Sequence, residues 1–455
     1  MIAIPQGTVA QWTALADRFR AIGLTSAWIE EQEKSIGRFP AAFGTDWLRL
    51  QFEVSDEPAA LALRMLTRDE PVSTAQAIRA LGEESFAFAR DCGLIEETAK
   101  GWRSPLRLSL LDSLYILADR PEETADNVMG VGTTTALLAR ASYPDQRVES
   151  ALDLGCGGGV LALLLARAAD RVVGTDLNAR AIEMARVNAM LNGIGNAEFR
   201  VGDWYSPVVG ERFDLIVSQP PFLPLRDDQE KVVYLHGGRT GDEMARLVVK
   251  EMPGYLTENG VGFVLADMVS TPEGVTALVS SEMVDLEVDA AVYCAQAHRQ
   301  RDRRWWDEAY RTVEHLRRCG VTEVRLTLMV VGAGDGQPLV VAAERWGQID
   351  RGLIDSLWVA GTAADWLEQR ARVVPGTTME GECPLGEKVR LWTLRSGRRS
   401  LRANPQVGDG ILDLIRWVTR GETLGSCLGG LSESDREKAL GVVDQLVRHE
   451  ILEMI

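Results

Sequence analysis

The feature of this sequence that most constrains its fold is a glycine-rich turn between an apolar strand and a helix. The apolar run Ala151–Leu154 leads into Gly155, Gly157 and Gly159, and a helical pattern follows over Val160–Ala169. Glycine allows a backbone to approach a ligand closely, and the N-terminus of a helix favours a negative group. The pattern therefore favours a cofactor-binding unit, although steric demands alone also make many turns glycine-rich.

An acidic residue ends the next strand-like run and strengthens the cofactor interpretation. Arg171–Gly174 and Thr175 form a second β-rich run, and Asp176 follows it, 19 residues after Gly157. An acid at the tip of the second strand of such a unit can accept hydrogen bonds from both hydroxyls of a ribose. The spacing therefore predicts a cofactor that contains a nucleoside.

A third strand-like run ends in residues suited to a purine. A helical pattern over Asn178–Asn192 is followed by Glu198–Val201, which ends in Gly202, Asp203 and Trp204. An aspartate in this place can accept from the amino group of an adenine, and a neighbouring tryptophan can cover the ring.

A fourth run, Phe213–Val217, is apolar throughout and ends in the segment Ser218-Gln219-Pro220-Pro221-Phe222. Further strands are predicted over 260–268, 286–294 and 323–331. The alternation of strands and helices over residues 121–335 is typical of βαβ units in a parallel sheet.

These motifs together resemble the class I S-adenosylmethionine-dependent methyltransferases. Within that family the chain is similar to the branch with an Asn-Pro-Pro-(Tyr/Phe) motif, which includes the HemK-type glutamine methyltransferases and several rRNA and DNA amino-methyltransferases. The resemblance covers about residues 125–335. It rests on the following motifs, in this order: Asp153-x-Gly155-x-Gly157-x-Gly159, Asp176, Gly202-Asp203-Trp204 and Gln219-Pro220-Pro221-Phe222. The overall layout also resembles a group of bacterial methyltransferases with extra N- and C-terminal modules, and the shared feature is the segment Gly130–Ala139 before the first strand.

The resemblance implies a Rossmann-like seven-stranded core, S-adenosylmethionine as cofactor, and a set of site residues. Asp153, Gly155 and Gly157 are expected to hold the methionine part, Asp176 the ribose, and Asp203 and Trp204 the adenine. The full set of expected cofactor-binding residues is Asp153, Gly155, Gly157, Gly159, Asp176, Leu177, Asp203, Trp204 and Gln219. The expected catalytic residues are Gln219, Pro220 and Phe222, and no metal is expected.

Gln219 departs from the family pattern, which has Asn or Asp in this place. The lone pair of a planar amide nitrogen is delocalised, so a side-chain oxygen and the following backbone carbonyl that accept its two N–H groups fix the nitrogen in line with the methyl group. Gln219 can supply that oxygen on a longer arm, so the acceptor can sit further out or differ from a planar amide. The alternative is that Gln219 is a structural residue in a non-catalytic remnant.

Candidate substrate-binding residues follow the fourth strand and precede the last one. His236 lies in a glycine-rich stretch predicted to be a loop at the carboxyl edge of the sheet, where it either contacts substrate or is simply solvated. Arg304 and Trp305 lie in a segment, 298–318, in which arginines and aromatic residues are interleaved. Such a segment suits an anionic or aromatic ligand, or else forms an amphipathic helix.

The regions on either side of this core differ from it in pattern. Residues 1–120 predict a helical, winged-helix-like domain with helices near 58–67, 73–81 and 83–92 and two strand-like runs near 106–110 and 113–117. The third helix carries Glu83, Glu84 and Asp91, whereas a helix that reads DNA needs positive charge. We therefore interpret the domain as a packing or dimerisation module, or a lid. Residues 336–455 predict a small α/β domain.

Charge and composition limit the kinds of partner, location and site that are expected for this chain. The 455 residues carry a net charge of −17, which disfavours nucleic acid as the main partner without excluding a local basic patch. No apolar run is long enough to span a membrane, and no signal peptide is recognisable, so a cytoplasmic protein is expected. Six scattered cysteines and four histidines argue against a disulfide framework and a metal site.

The sequence therefore predicts an S-adenosylmethionine-dependent methyltransferase that acts on a nitrogen of a small molecule or a protein side chain. The alternatives are an rRNA or tRNA base N-methyltransferase, an O-methyltransferase of secondary metabolism, and a winged-helix regulator that senses the cofactor without turning it over. A homodimer is left open.

Overall fold

The computed structural model describes two long stretches, residues 55–120 and 126–269, together with 2–29 and 31. It also describes 277–280, 284–285, 303–321, 323–332, 339–342 and short pieces between 371 and 454. The chain divides into two compact units, the first comprising Met1–Ala139 and Gln146–Leu265, and the second Arg140–Asp145 and Ala266–Ile455. The predicted domain boundaries after residues 120 and 335 stay a prediction.

In the described residues of the N-terminal part of the first unit, four helices and two β-hairpins have defined bounds, and a short helical piece lies at 26–29. Thr8 and Ser73 cap the first and third helices, each through a capping box with a glutamine three residues later. The elements are α1 (Val9–Ala21), α2 (Pro58–Leu66), α3 (Thr74–Leu81), α4 (Glu83–Asp91), β1 (Glu96–Thr98), β2 (Gly101–Arg103), β3 (Leu106–Leu111) and β4 (Leu114–Asp119). The three helices predicted over 58–92 and the two strands predicted over 106–117 are thus confirmed, with ends that differ by one or two residues, whereas the β1–β2 hairpin was not predicted.

The core of the first unit is a parallel sheet with helices packed against it. Its strands run in the order β11-β8-β5-β6-β7, and each neighbouring pair is parallel. The elements of this part are α5 (Thr133–Ser142), β5 (Val148–Leu154), α6 (Val160–Leu165), β6 (Ala169–Asp176), α7 (Ala179–Leu191), β7 (Ala197–Val201), β8 (Phe213–Ser218), β9 (Leu223–Pro224), β10 (His236–Gly238), α8 (Glu243–Glu251) and β11 (Leu256–Met268). The prediction of a Rossmann-like α/β fold is confirmed.

Parallel strands bring all of their carboxyl ends to one edge of the sheet, and that edge gathers the predicted motifs. β5 ends at Leu154, β6 at Asp176, β7 at Val201 and β8 at Ser218. Ligands bind at this edge in open α/β sheets. The topology therefore places the glycine turn, the acidic strand tip, and the segments that follow β7 and β8 on the same side of the sheet.

One helix is shorter than the sequence indicates. The predicted helix over residues 160–169 ends at Leu165, and the chain then turns tightly, with the N–H of Ala168 donating to the carbonyl of Leu165. The following strand consequently begins at Ala169, before the predicted start at Arg171. All six residues of α6 are buried, so an apolar run could not reveal where the helix stops.

Two asparagines join α7 to the β3–β4 hairpin. The carboxamide of Asn188 accepts from the N–H of Leu117 at 2.8 Å, and it donates to the carbonyls of Leu117 and Gly158. Asn192 pairs in the same way with the N–H and carbonyl of Tyr115. The hydrophobic core of the N-terminal helices also continues into residues of α7. The hairpin and the N-terminal helices are therefore built onto the helix that follows β6.

The second unit is described in separate pieces. Helix α9 (Arg303–Arg318) buries Val313 and Leu316. The strands are β12 (Ala277–Ser280), β13 (Val284–Asp285), β14 (Glu323–Val331), β15 (Leu339–Ala342), β16 (Ala371–Val373), β17 (Thr378–Glu382), β18 (Leu391–Ser396), β19 (Arg399–Ala403) and β20 (Leu452–Met454). β12 pairs antiparallel with β14 and parallel with β15. The strand predicted over 323–331 is confirmed, whereas the one predicted over 286–294 lies outside the described residues.

Among the helices of the described residues, none is both long and apolar enough to cross a membrane.

Candidate functional site

The glycine turn after β5 leaves open space around its first two glycines. Gly155 and Gly157 have φ values of +76° and +51°, and a Cβ built on either would meet no atom within 4 Å. Gly159, with φ +83°, differs because a Cβ there would lie 3.0 Å from Cβ of Ala185 and 3.1 Å from the ring of Phe199. The first two glycines therefore expose backbone that a ligand can approach, while the third permits close packing.

Asp176 holds the glycine turn against the start of α7. One carboxylate oxygen accepts from the N–H of Gly157 and the other from the N–H of Asn178, both at 2.8 Å. Burial raises the pKa of Asp176, and the two amide donors oppose that shift. Each oxygen keeps a further lone pair, so the carboxylate can still accept from a ligand hydroxyl. The adjacent Leu177 is exposed.

Asp153 is buried and fixes the helix that follows the turn. Its side chain is 1% exposed, and Oδ2 accepts from the N–H of Ala162 at 2.8 Å. Burial raises the pKa of this carboxyl from 3.8 to about 7, and the nearby negative charge of Asp176 adds to the shift. In this structure the carboxyl is thus engaged with α6, and direct contact with a cofactor stays a prediction.

The segment after β7 has an unusual backbone. Trp204 has a φ of +44°, a left-handed conformation that is uncommon for a bulky residue. The hydroxyl of Thr175 donates to its carbonyl at 3.4 Å, and the N–H of Gly202 donates to the carbonyl of Asp176 at 3.0 Å. Trp204 is half-buried and Asp203 is exposed. Strained residues cluster at ligand sites, so this geometry supports a binding role for the segment.

Gln219 follows β8 directly, and two threonine hydroxyls bind its carboxamide. Oε1 accepts from the hydroxyl of Thr135 at 3.1 Å, and Nε2 donates to the hydroxyl of Thr134 at 2.6 Å. Both threonines belong to the first turn of α5. Gln219 and Phe222 are half-buried, and Pro220 is buried.

The stretch from His236 to Gly241 packs on the backbone of the segment after β8. β10 pairs with β9, and the N–H of Leu225 donates to the carbonyl of Gly238 at 2.7 Å. A Cβ on Gly237 would collide with the carbonyl oxygen of Pro221, and one on Gly241 with that of Phe222. Glycine is therefore required at both positions by close backbone contact.

His236 is not a solvated loop residue. Its side chain is buried, and Nδ1 accepts from the N–H of Val232 at 2.9 Å, which closes the turn before β10. The alternative of a solvated histidine is wrong, because the pairing of β9 with β10 carries the residue into the protein. Its contact with a substrate stays a prediction.

The structure thus brings most of the predicted residues to one edge of one sheet. Arg304 and Trp305 belong to α9 in the second unit, and their side chains lie outside the described residues. Thr134 and Thr135, which contact Gln219, were not recognised from the sequence. The signal that could have indicated them is the run of three threonines after two closely spaced glycines at 130–135.

Comparisons with known proteins agree on a family. The family model of the methyltransferase small domain matches residues 129–235. A release factor glutamine methyltransferase of Xylella fastidiosa is 32% identical over 205 residues, which cover 40% of this chain and 68% of the relative. A putative protein N5-glutamine methyltransferase of Methanocaldococcus jannaschii is 33% identical over 131 residues, covering 28% of this chain and 66% of the relative.

Solved structures also match. A ribosomal protein L11 methylase from Lactobacillus delbrueckii subsp. bulgaricus is 22% identical, with a TM-score of 0.24, and the match covers 30% of this chain and 60% of that one.

Proposed function

The chain belongs to the HemK branch of the class I S-adenosylmethionine-dependent methyltransferases, and we propose that it methylates the side-chain amide nitrogen of a glutamine in a protein. It is an S-adenosylmethionine-dependent enzyme. The observation that carries the proposed acceptor is the side chain of Gln219, whose carboxamide is held at the carboxyl end of β8 beside the glycine turn. The names of the relatives, which are glutamine methyltransferases, support the same acceptor.

The residues around the glycine turn fit the cofactor. The open space at Gly155 and Gly157 suits the methionine part, because no side chain blocks the backbone there. The free lone pairs of Asp176 suit the ribose hydroxyls. Asp203 and Trp204 would contact the adenine.

The remaining residues proposed for the cofactor site act through neighbours. Gly159 would keep α6 close to the sheet, and Asp153 would keep its N-terminus in place. Leu177 supplies an exposed apolar side chain beside Asp176.

Residues after β8 would position the acceptor. S-adenosylmethionine supplies a methyl group on a positively charged sulfur, which is a good leaving group. An acceptor amide nitrogen donates one N–H to Oε1 of Gln219 and the other to the carbonyl of Pro220, and this geometry directs its electron pair at the methyl carbon. The nitrogen would take the methyl group as the carbon–sulfur bond breaks, the sulfur would keep the electron pair of that bond as S-adenosylhomocysteine, and one N–H proton would pass to solvent. Phe222 and His236 would flank the acceptor.

The finer features of the fold remain part of this proposal. A seven-stranded core is supported by five neighbouring strands that are all parallel. A winged-helix-like module is supported by α2, α3 and α4, followed by the β1–β2 hairpin, with Val72 paired to Trp102. We propose that this module serves packing or dimerisation rather than DNA binding. A packing role is supported by the contact of Trp12 in α1 with Phe88 in α4, whose ring centroids are 5.0 Å apart.

Partners and location follow from the same proposal. A protein substrate fits the names of the relatives, and we propose that the enzyme acts in the cytoplasm. A role of Arg304 and Trp305 in binding substrate stays a prediction from the sequence. A small-molecule acceptor and a nucleic-acid base are the competing outcomes of the test.

The acceptor can be identified by labelling. The enzyme is incubated with S-adenosylmethionine that carries a radioactive methyl group and with a size-fractionated bacterial extract, and labelled proteins are digested and sequenced by mass spectrometry. We expect label in protein, on glutamine, with wild-type enzyme and with the control Gln6→Ala, whose exposed side chain donates a hydrogen bond to the nearby carbonyl of Ile4. Gln219→Ala should abolish most of the label. Label confined to RNA or to small molecules would contradict the proposal.

A further inference from the structure

The carboxamide of Gln219 is held at both ends by one turn of helix. The hydroxyl of Thr135 donates to Oε1, and the hydroxyl of Thr134 accepts from Nε2. These threonines are consecutive at the start of α5, and both are half-buried. Because the two hydrogen bonds engage opposite ends of one planar group, they fix the rotation of that group as well as its position.

The two hydrogen bonds to the threonines compensate for the longer, more flexible side chain of glutamine. Relative to asparagine, glutamine has one more rotatable bond between the backbone and the amide. A reacting group that is free to rotate loses rate, because the productive geometry is reached less often. Two fixed hydroxyls at the far end of the arm restrict that rotation, so Gln219 can present its oxygen from a defined place.

Helix α5 and the segment before it are themselves anchored on either side of the threonines. Leu138 and Ala141 of the helix are buried. The segment before the helix is bound to the end of β4, since the N–H of Asp119 donates to the carbonyl of Val128 at 2.9 Å and the N–H of Val128 donates back to the Asp119 carboxylate at 2.7 Å. That carboxylate also forms an ion pair with Arg180 of α7, whose side chain is mostly buried. The hydroxyls thus sit on a supported element.

We propose that Thr134 and Thr135 are positioning residues that clamp the Gln219 carboxamide for the acceptor. The inference rests on the proposed function. A carboxamide has two N–H donors and two oxygen lone pairs, and the threonines engage one of each. One N–H and one lone pair are left, which is the complement of another primary carboxamide. A glutamine side chain can therefore meet the clamped group through two hydrogen bonds, whereas an amine or a carboxylate can satisfy only one.

The kinetic test removes one hydroxyl at a time. Thr134→Val and Thr135→Val keep the shape of the side chain, and the probe is a synthetic peptide that contains a single glutamine. The matched control is Thr257→Val, since that hydroxyl also makes a hydrogen bond, to Asp214 at 2.9 Å, but at the opposite end of the sheet.

We expect each clamp variant to lower kcat about threefold to tenfold, the effect of losing one net hydrogen bond. Affinity for S-adenosylhomocysteine, measured by calorimetry, should stay within about twofold, because the two threonines bind Gln219, which we assign to the acceptor, and not Asp176 or the glycine turn. The corresponding serine variants should recover most of the rate. In a Gln219→Ala background the valine substitutions should have no further effect on kcat. Equal rates for wild type and both valine variants would overturn the inference.

A second readout does not depend on the acceptor. In protein labelled with ¹⁵N-glutamine, the side-chain NH₂ signal of Gln219 is assigned by its disappearance in Gln219→Ala. We expect this signal to show restricted motion in wild type and in Thr257→Val, and free rotation in the two clamp variants. A mobile Gln219 amide in wild type would refute the clamp.

The two readouts separate the clamp from the proposed function. A restricted amide that is released by the valine substitutions, in an enzyme that does not methylate a glutamine peptide, would leave the clamp standing and refute the acceptor. Methylation of the peptide at wild-type rates by both valine variants would leave the proposed acceptor standing and refute the clamp. If Thr134→Val fails to fold by circular dichroism, Thr134→Ser and Thr135→Val still decide the outcome, since only loss of a hydroxyl should release the amide.

Discussion

The buried carboxyl of Asp153 makes the stability of the enzyme depend on pH near neutrality. The side chain is 1% exposed, and its carboxylate accepts a hydrogen bond from the N–H of Ala162. Burial raises its pKa from 3.8 to about 7. Because the pKa is higher in the folded protein than in the unfolded chain, the folded state binds more protons between these values. The contribution of the Asp153 carboxyl to the free energy of unfolding is therefore complete below about pH 4, and it is lost as the pH rises through about 7.

The size of the effect follows from the shift. At 1.36 kcal/mol per pKa unit, a rise of about three units corresponds to at most about 4 kcal/mol. Asp153→Asn removes the charge and keeps a carbonyl oxygen for the N–H of Ala162. We expect the variant, without cofactor, to be more stable than wild type at about pH 9, by at most about 8–16 °C in Tm, at about 2–4 °C per kcal/mol for a unit of this size. The two proteins should be much closer at about pH 5.

The measurement is thermal unfolding of both proteins across this pH range, with Asp153→Ala as the comparison. Asp153→Ala loses the hydrogen bond as well as the charge, so it should be less stable than Asp153→Asn at every pH. If wild type and Asp153→Asn lose stability in parallel as the pH rises, the buried carboxyl is not the titrating group and the reasoning fails.

Three further predictions concern binding and turnover. Asp176→Ala should weaken S-adenosylhomocysteine binding about tenfold or more in calorimetry, because a charged acceptor worth about 1.5–3 kcal/mol is lost and the N–H of Gly157 loses its partner; full affinity would contradict this. Gln219→Asn should not restore the rate lost in Gln219→Ala, because the arm is about 1.5 Å shorter and cannot reach both threonines; a wild-type kcat would show that the longer arm is irrelevant. Binding to rRNA fragments should be weak and should lack the steep fall of about one log unit per log unit of salt for each phosphate contacted; tight, salt-sensitive binding would indicate a nucleic-acid substrate.

The parts of the fold that could be predicted are those that local sequence encodes. Buried parallel strands are short apolar runs, and the residues at their ends are free of that constraint, so Asp176 and Gln219 are visible as polar residues that end such runs. The glycine turn is similarly local, because its positive φ values need glycine at Gly155 and Gly157. The cofactor side of the site is therefore encoded in short segments whose residue types can each be interpreted without their neighbours in space.

What could not be predicted depends on contacts between distant parts of the chain. Thr134 and Gln219 are 85 positions apart, and neither residue type nor spacing indicates that they meet. The burial of His236 has the same cause, since it follows from the pairing of β10 with β9 and from the close backbone contact at Gly237. A histidine followed by two glycines has the local pattern of a solvated loop, and only tertiary packing overrides it.

The N-terminal region takes part in the site through such contacts. The side-chain oxygen of Asn188 accepts from the N–H of Leu117 in β4. Its side-chain nitrogen donates to the carbonyl of Gly158 in the glycine turn. Asp119, at the end of β4, binds Val128 and Arg180, and so holds both the segment that leads to Thr134 and the helix that follows Asp176. Removing the hairpin would leave these buried polar groups without partners, which is costly. The hairpin that precedes the sheet therefore supports both the segment that leads to Thr134 and the helix that follows Asp176.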